Sequence, residues 1–100
     1  MKKGYIVAEV RVINPTAYAE YQAQATAIVA QYGGQFIVRG GSREQREGAD
    51  AEHNDEWRTM IIEFPSLEQA RVWYDSPEFT EAKKTRLANT ISRLFIVEGV

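Results

Sequence analysis

One hundred residues, 44% hydrophobic and 26% charged, are enough for one domain with a modest single core. A formal charge of −2 supplies no basic stripe for nucleic acid, and the absence of cysteine excludes disulfides, thiolate chemistry and cysteine-based zinc sites. No apolar run approaches the ~20 residues of a membrane span, and the segment after Met1-Lys2-Lys3 alternates and carries Glu9 and Arg11 rather than forming a secretory h-region.

Gly4 to Val12 alternates, with Ile6, Ala8, Val10 and Val12 on one face and Tyr5, Val7, Glu9 and Arg11 on the other, which predicts a first strand. Asn14-Pro15 is a helix start, with asparagine as cap and proline at the first helical position. Tyr18, Tyr21, Ala25, Ile28, Val29 and Tyr32 then recur at helical spacing, and Gly33-Gly34 ends the helix. Gln35 to Arg39 is a short strand. Simple alternation puts Phe36 and Val38 on one face and Ile37 and Arg39 on the other. Gly40-Gly41 marks a bulge or close backbone approach. Ser42 to Glu56 is polar and highly charged and predicts a solvated hairpin extension turning at Gly48-Ala49-Asp50.

Trp57 to Phe64 is the third strand, with Met60, Ile62 and Phe64 forming one wholly apolar face. Pro65 ends it, having no N–H to donate. Ser66-x-x-Gln69 reads as a capping box opening a second helix. Asp75-Ser76-Pro77-Glu78 is another start signal, so this helix breaks at Ser76-Pro77 and resumes to about Asn89. The last strand runs from Arg93 to at least Val97.

The order β-α-β-β-α-β, with right-handed crossovers, predicts an α+β ferredoxin-like fold: a four-stranded antiparallel sheet with two helices on one face. The other face would carry Tyr5, Val7, Glu9, Ile37, Arg39, Ile61, Glu63, Phe95 and Val97. That mixture is too apolar for water. The simplest cover is a second copy of the same sheet, hence a homodimer.

Several motifs then stand in a familiar order: Phe36-Ile37-Val38-Arg39-Gly40-Gly41, Glu47-Gly48, Ile62-Glu63-Phe64-Pro65-Ser66, Trp73-Tyr74-Asp75-Ser76-Pro77-Glu78-Phe79 and Ile96-Val97-Glu98-Gly99. Across essentially the whole chain the sequence resembles the family called domain of unknown function 1330, of the dimeric α/β-barrel superfamily. The resemblance implies a barrel made by two sheets, with no reaction attached. The charged stretch Ser42 to Asn54 departs from the family pattern in being longer and more polar.

On the alternating reading, Arg39 and Glu63 share one face. Arg39 would grip a carboxylate or enolate with its planar fork, and Glu63 would be a general base whose pKa desolvation raises. Glu9 could join them, with Ile37 and Ile61 as apolar neighbours. The competing reading is a structural Arg–Glu pair. Trp73 and Tyr74 offer an aromatic wall or simply core. Ser76 is a cap that could also hold an anion. Arg86 could pair with a ligand or lie on a solvated helix face. His53, the one histidine, lies in the polar loop and is expected to be inert. No cofactor and no metal are expected. Three readings follow: a cofactor-independent enzyme on a small, partly apolar acid or carbonyl compound (monooxygenase, isomerase or decarboxylase type), a non-catalytic binding dimer, or an interaction module using the loop. The expected setting is cytoplasmic, with neither nucleic acid nor membrane as partner.

Overall fold

The computed structural model describes residues 1–49 and 52–100. Strand β1 spans Gly4–Val12, helix α1 Pro15–Gln31, strand β2 Gln35–Arg39, strand β3 Trp57–Phe64, helices α2 Leu67–Asp75 and α3 Pro77–Asn89, and strand β4 Thr90–Glu98. A 3₁₀ turn at Asn54–Glu56 precedes β3. The sheet is antiparallel in the order β2-β3-β1-β4, the split β-α-β topology that the element order predicts. None of the described helices is long and apolar enough to cross a membrane.

The helix starts follow the cap residues. Asn14 Oδ1 accepts from the Ala17 N–H at 3.2 Å, Ser66 Oγ from Gln69 at 3.1 Å, and Ser76 Oγ from Phe79 at 3.2 Å. The break at Ser76-Pro77 separates α2 from α3. The Ser66–Gln69 box is only half made, because the Gln69 amide donates to Tyr32 O at 2.7 Å instead of returning to Ser66. That bond ties the start of α2 to the end of α1. Gly33, at φ +83°, ends α1 in a Schellman pattern in which the Gly34 N–H donates to Val29 O at 2.9 Å.

The core lies between the sheet and the helices. Its largest buried side chains are Trp73, Phe64, Phe79, Ile6, Val10 and Val29. Trp73 and Phe79 stack with centroids 4.0 Å apart, and Phe64 sits 5.5 Å from Trp73.

Strand β2 departs from simple alternation. Phe36 pairs with Ile62, but Val38 pairs with Ile61 and Arg39 with Met60, so Ile37 is an extra, bulged residue. One inserted residue reverses the parity of everything after it. Val38, expected over the core, joins Ile61 on the outer face. Arg39, expected beside Glu63, turns to the helix face. The irregularity falls at Ile37 rather than at Gly40-Gly41, although Gly40 does take a positive φ of +68°.

Strand β4 begins at Thr90, three residues earlier than expected, because Thr90 and Ile91 already pair with Val12 and Arg11. Residues 42–49 form no strand, so the expected hairpin is replaced by a loop. Arg43 Nη1 holds it by donating to Asn54 O at 3.1 Å. Gly48 has φ +100°, as a turn there requires. The Asp50 part of that expected turn lies outside the described residues.

Candidate functional site

A cleft opens between the helix-covered face of the sheet and α1. Its enclosed volume is about 30 Å³, room for roughly two waters. Sheet residues such as Ile6, Val10, Met60 and Ile62 give it an apolar floor, and α1 contributes Tyr18, Tyr21 and Gln22. Trp73 comes from α2, Arg86 from α3, and Arg39 from the edge strand through the bulge.

Two donors in this cleft are buried without a hydrogen-bond partner among the described residues: Arg86 Nε and Trp73 Nε1. Arg86 is only 5% exposed, with its guanidinium carbon 5.9 Å from the Tyr21 ring and 5.8 Å from the Phe79 ring. Aromatic faces solvate a cation weakly compared with a carboxylate. Among the described lining residues none carries a carboxylate. Arg39 spans the mouth: its Nη2 donates to Thr26 Oγ1 on α1, and its guanidinium carbon lies 4.4 Å from the Phe36 ring centroid. Burial pushes the Tyr18 hydroxyl pKa up, against the opposing charges of Arg58, Arg86 and Arg39. Burial likewise raises Tyr21, with the charge and hydrogen bond of Arg86 opposing it.

The residues expected at a site therefore divide. Arg39, Trp73 and Arg86 come together in the cleft. Tyr74, half-buried, lies behind Trp73 with ring centroids 6.2 Å apart and carries Lys83 Nζ 4.2 Å from its ring. Ser76, 4% exposed, has its hydroxyl occupied as a cap and as a donor to Trp73 O at 2.7 Å. Glu63, Ile61 and Glu9 face the other side of the sheet, and the bulged Ile37 is exposed there at the edge.

The expected Arg39–Glu63 pairing is thus corrected, and the cause is the bulge. The expected rise in the Glu63 pKa is corrected too. Lys3 Nζ donates to Glu63 Oε1 at 2.9 Å, and this hydrogen bond with the lysine charge holds the carboxyl below the usual range, helped by Gln35 and Tyr5. Glu9 lies between two guanidiniums, 3.4 Å from Arg93 and 3.8 Å from Arg43. His53 pairs with Glu56 at 2.8 Å in the loop, away from the cleft.

Tyr18, Tyr21 and Gln22 are cleft residues that pattern reading assigned only to the helix. The available signal was the tyrosine hydroxyls of Tyr18 and Tyr21 at the start of the apolar stripe that Tyr32 closes, since a buried tyrosine needs a polar neighbour.

Known structures share this fold. A protein of unknown function from Rhodopseudomonas palustris matches with TM-score 0.79 at 23% identity, over 99% of this chain and 83% of that one. SnoaB, a cofactor-independent oxygenase from Streptomyces nogalater, matches with TM-score 0.71 at 16% identity, over 97% and 92%. A candidate antibiotic biosynthesis monooxygenase from Caulobacter crescentus matches with TM-score 0.63 at 14% identity, over 99% and 91%. At such identities the likeness is one of fold. No curated protein matches the chain. The profile of the family described as domain of unknown function (DUF1330) matches residues 3–100, with the strand, glycine and Trp-Tyr-Asp-Ser-Pro-Glu-Phe motifs all inside that span, and the chain belongs to that family.

Proposed function

We propose that the protein is a homodimer that binds a small, partly apolar acid, or the enolate of a carbonyl compound, in the cleft beneath α1. Arg86 carries this reading. A guanidinium is always charged, and removing one from water costs several kcal/mol unless an anion compensates it. No carboxylate of the described cleft residues does so, whereas a ligand anion would. Trp73 Nε1 is a second unused donor in the same cleft, and Arg39 waits at its mouth.

A cofactor-independent enzyme is one form of this proposal, supported by the fold shared with SnoaB. A binding protein without chemistry is the other, and one observation favours it. The described cleft residues include no Asp, Glu or His. The remaining proton carriers are Tyr18 and Tyr21, whose raised pKa values keep the hydroxyls protonated, and so unavailable as bases, at neutral pH. Glu63, across the sheet, is not positioned to serve a ligand held by Arg39 and Arg86.

A thermal-shift screen of small aliphatic and aromatic carboxylates on wild type, Arg39→Ala and Arg86→Met tests the reading. A ligand at ~100 times its dissociation constant adds ~2.7 kcal/mol. The expected result is a stabilising shift in wild type that shrinks in Arg39→Ala and disappears in Arg86→Met. An undiminished shift in Arg86→Met would put the binding site elsewhere. Following hits by mass spectrometry under air then separates the two forms, since only an enzyme consumes its ligand.

A further inference from the structure

The arginines of this chain fall into two groups. Arg11, Arg43, Arg71 and Arg93 each have a carboxylate oxygen within salt-bridge distance, at 2.9, 3.8, 3.8 and 3.4 Å. Arg39, Arg46, Arg58 and Arg86 have none among the described residues; of these Arg39 and Arg86 line the cleft, and Arg58 lies beside Tyr18. Two unpaired guanidiniums, those of Arg39 and Arg86, thus share one cleft, and a third, that of Arg58, lies beside one of its tyrosines.

Those guanidiniums are not side by side. The Arg86 carbon lies 5.9 Å from the Tyr21 ring, the Tyr21 and Tyr18 centroids are 5.7 Å apart, and the Arg58 carbon lies 6.0 Å from the Tyr18 ring. The two tyrosines therefore stand between a buried cation and an exposed one. Arg39 reaches the same mouth from β2. A single carboxylate beside Arg86, which neighbours Tyr21, leaves Arg58, which neighbours Tyr18, without an anion. Between the ends the surface is apolar and aromatic, with Met60, Ala25 and Phe36 beside the tyrosines.

Resting on the reading of the cleft given above, we infer that its ligand is anionic at both ends of a flat apolar spacer, an aromatic diacid or its equivalent. One end accepts from Arg86 and Trp73 Nε1 in the interior. The other lies at the rim, against Arg39 and Arg58. Entry requires the Arg39–Thr26 hydrogen bond to part, because the closed cleft encloses only about 30 Å³. The incoming anion supplies the exchange: a charge-assisted bond to carboxylate is about twice as strong as one to a neutral hydroxyl.

Isothermal titration with terephthalate and 2,6-naphthalenedicarboxylate, each beside its monomethyl ester, tests this on wild type and on the Arg39→Ala/Arg58→Ala double variant. Both substitutions are at exposed positions, and circular dichroism checks the fold. In wild type a diacid is expected to bind about tenfold more tightly than its own monoester. In the double variant both bind more weakly, the diacid by the larger factor, so that the two affinities become about equal. Equal affinities of diacid and monoester in wild type would overturn the two-ended ligand while leaving the single-anion reading of the cleft intact. No binding by any of the four compounds would remove both.

Discussion

Arg86 is a residue whose sequence context says helix face and whose surroundings say interior. It follows Phe79 and Ala82 on the buried side of α3, so packing draws it inward, and no carboxylate among the described residues meets it there. An uncompensated buried charge weakens a fold. Arg86→Met, which keeps the length and removes the charge, is therefore expected to leave stability unchanged or raise it by up to ~2 kcal/mol. Urea denaturation reads this directly, and a loss of several kcal/mol would make Arg86 a structural residue. Glu63 makes a prediction of another kind. Its hydrogen bond from Lys3, with the lysine charge, keeps it more acidic folded than unfolded. Its contribution is present above the unfolded glutamate value of about 4.3 and is lost as the pH falls through the lower folded value. Lys3 is raised by the same bond, so its share is present below the unfolded lysine value and is lost as the pH rises through the folded one. Glu63→Gln should flatten the acid limb of a stability–pH curve measured by urea midpoints. An unaltered limb would mean that the pair is broken in solution.

At the scale of the elements, two serines and one inserted residue set the geometry. Ser66 caps α2 through one hydrogen bond, whereas the buried hydroxyl of Ser76 both caps α3 and donates to Trp73 O. Ser66→Ala is expected to cost ~1 kcal/mol and Ser76→Ala nearer ~2 kcal/mol. Equal denaturation midpoints for the two variants would count against the second bond. The bulge at Ile37 determines which face receives Arg39. Deleting Ile37 should restore two-residue alternation while leaving Val38 opposite Ile61 and Arg39 opposite Met60, so that Arg39 stays on the helix face. The expected outcome is a folded protein that keeps Arg39-dependent binding of any cleft ligand found by the thermal-shift screen. Loss of that binding would mean that the bulge itself, beyond the parity it sets, aims the Arg39 side chain.

At the scale of the whole molecule, the sheet has one face covered by helices and one left open. On the open face Phe95 is 51% exposed and Val97 47%, with Ile91, Ile37 and Val38 also uncovered and Val7 and Ile61 partly so. Water is a poor neighbour for such a patch, and a second sheet packed face to face would cover it. Phe95→Glu is expected to convert a dimer to a monomer in sedimentation equilibrium at micromolar concentration, with unchanged far-ultraviolet circular dichroism. A wild-type mass of one chain would defeat the homodimer at once.

Periodicity and punctuation by themselves determined the elements of this protein. Alternation marked β1 and β3, Asn14-Pro15 and Gly33-Gly34 bounded α1, and Ser76-Pro77 broke the second helix, because these signals act through local backbone geometry. The topology followed from the element order, and the family from the motifs. The site did not follow in the same way. Its key placement, Arg39 on the helix face, depends on one bulged residue inside a five-residue strand, and nothing local to Gln35–Arg39 distinguishes Ile37 from a paired residue. The Glu63 environment depends on Lys3 and Gln35, which are close only once three strands are in register. The isolation of Arg86 from every described carboxylate is a property of the packed interior as a whole. Local pattern determines secondary structure, but the field around a charge is set by what folding brings near it and what it keeps away.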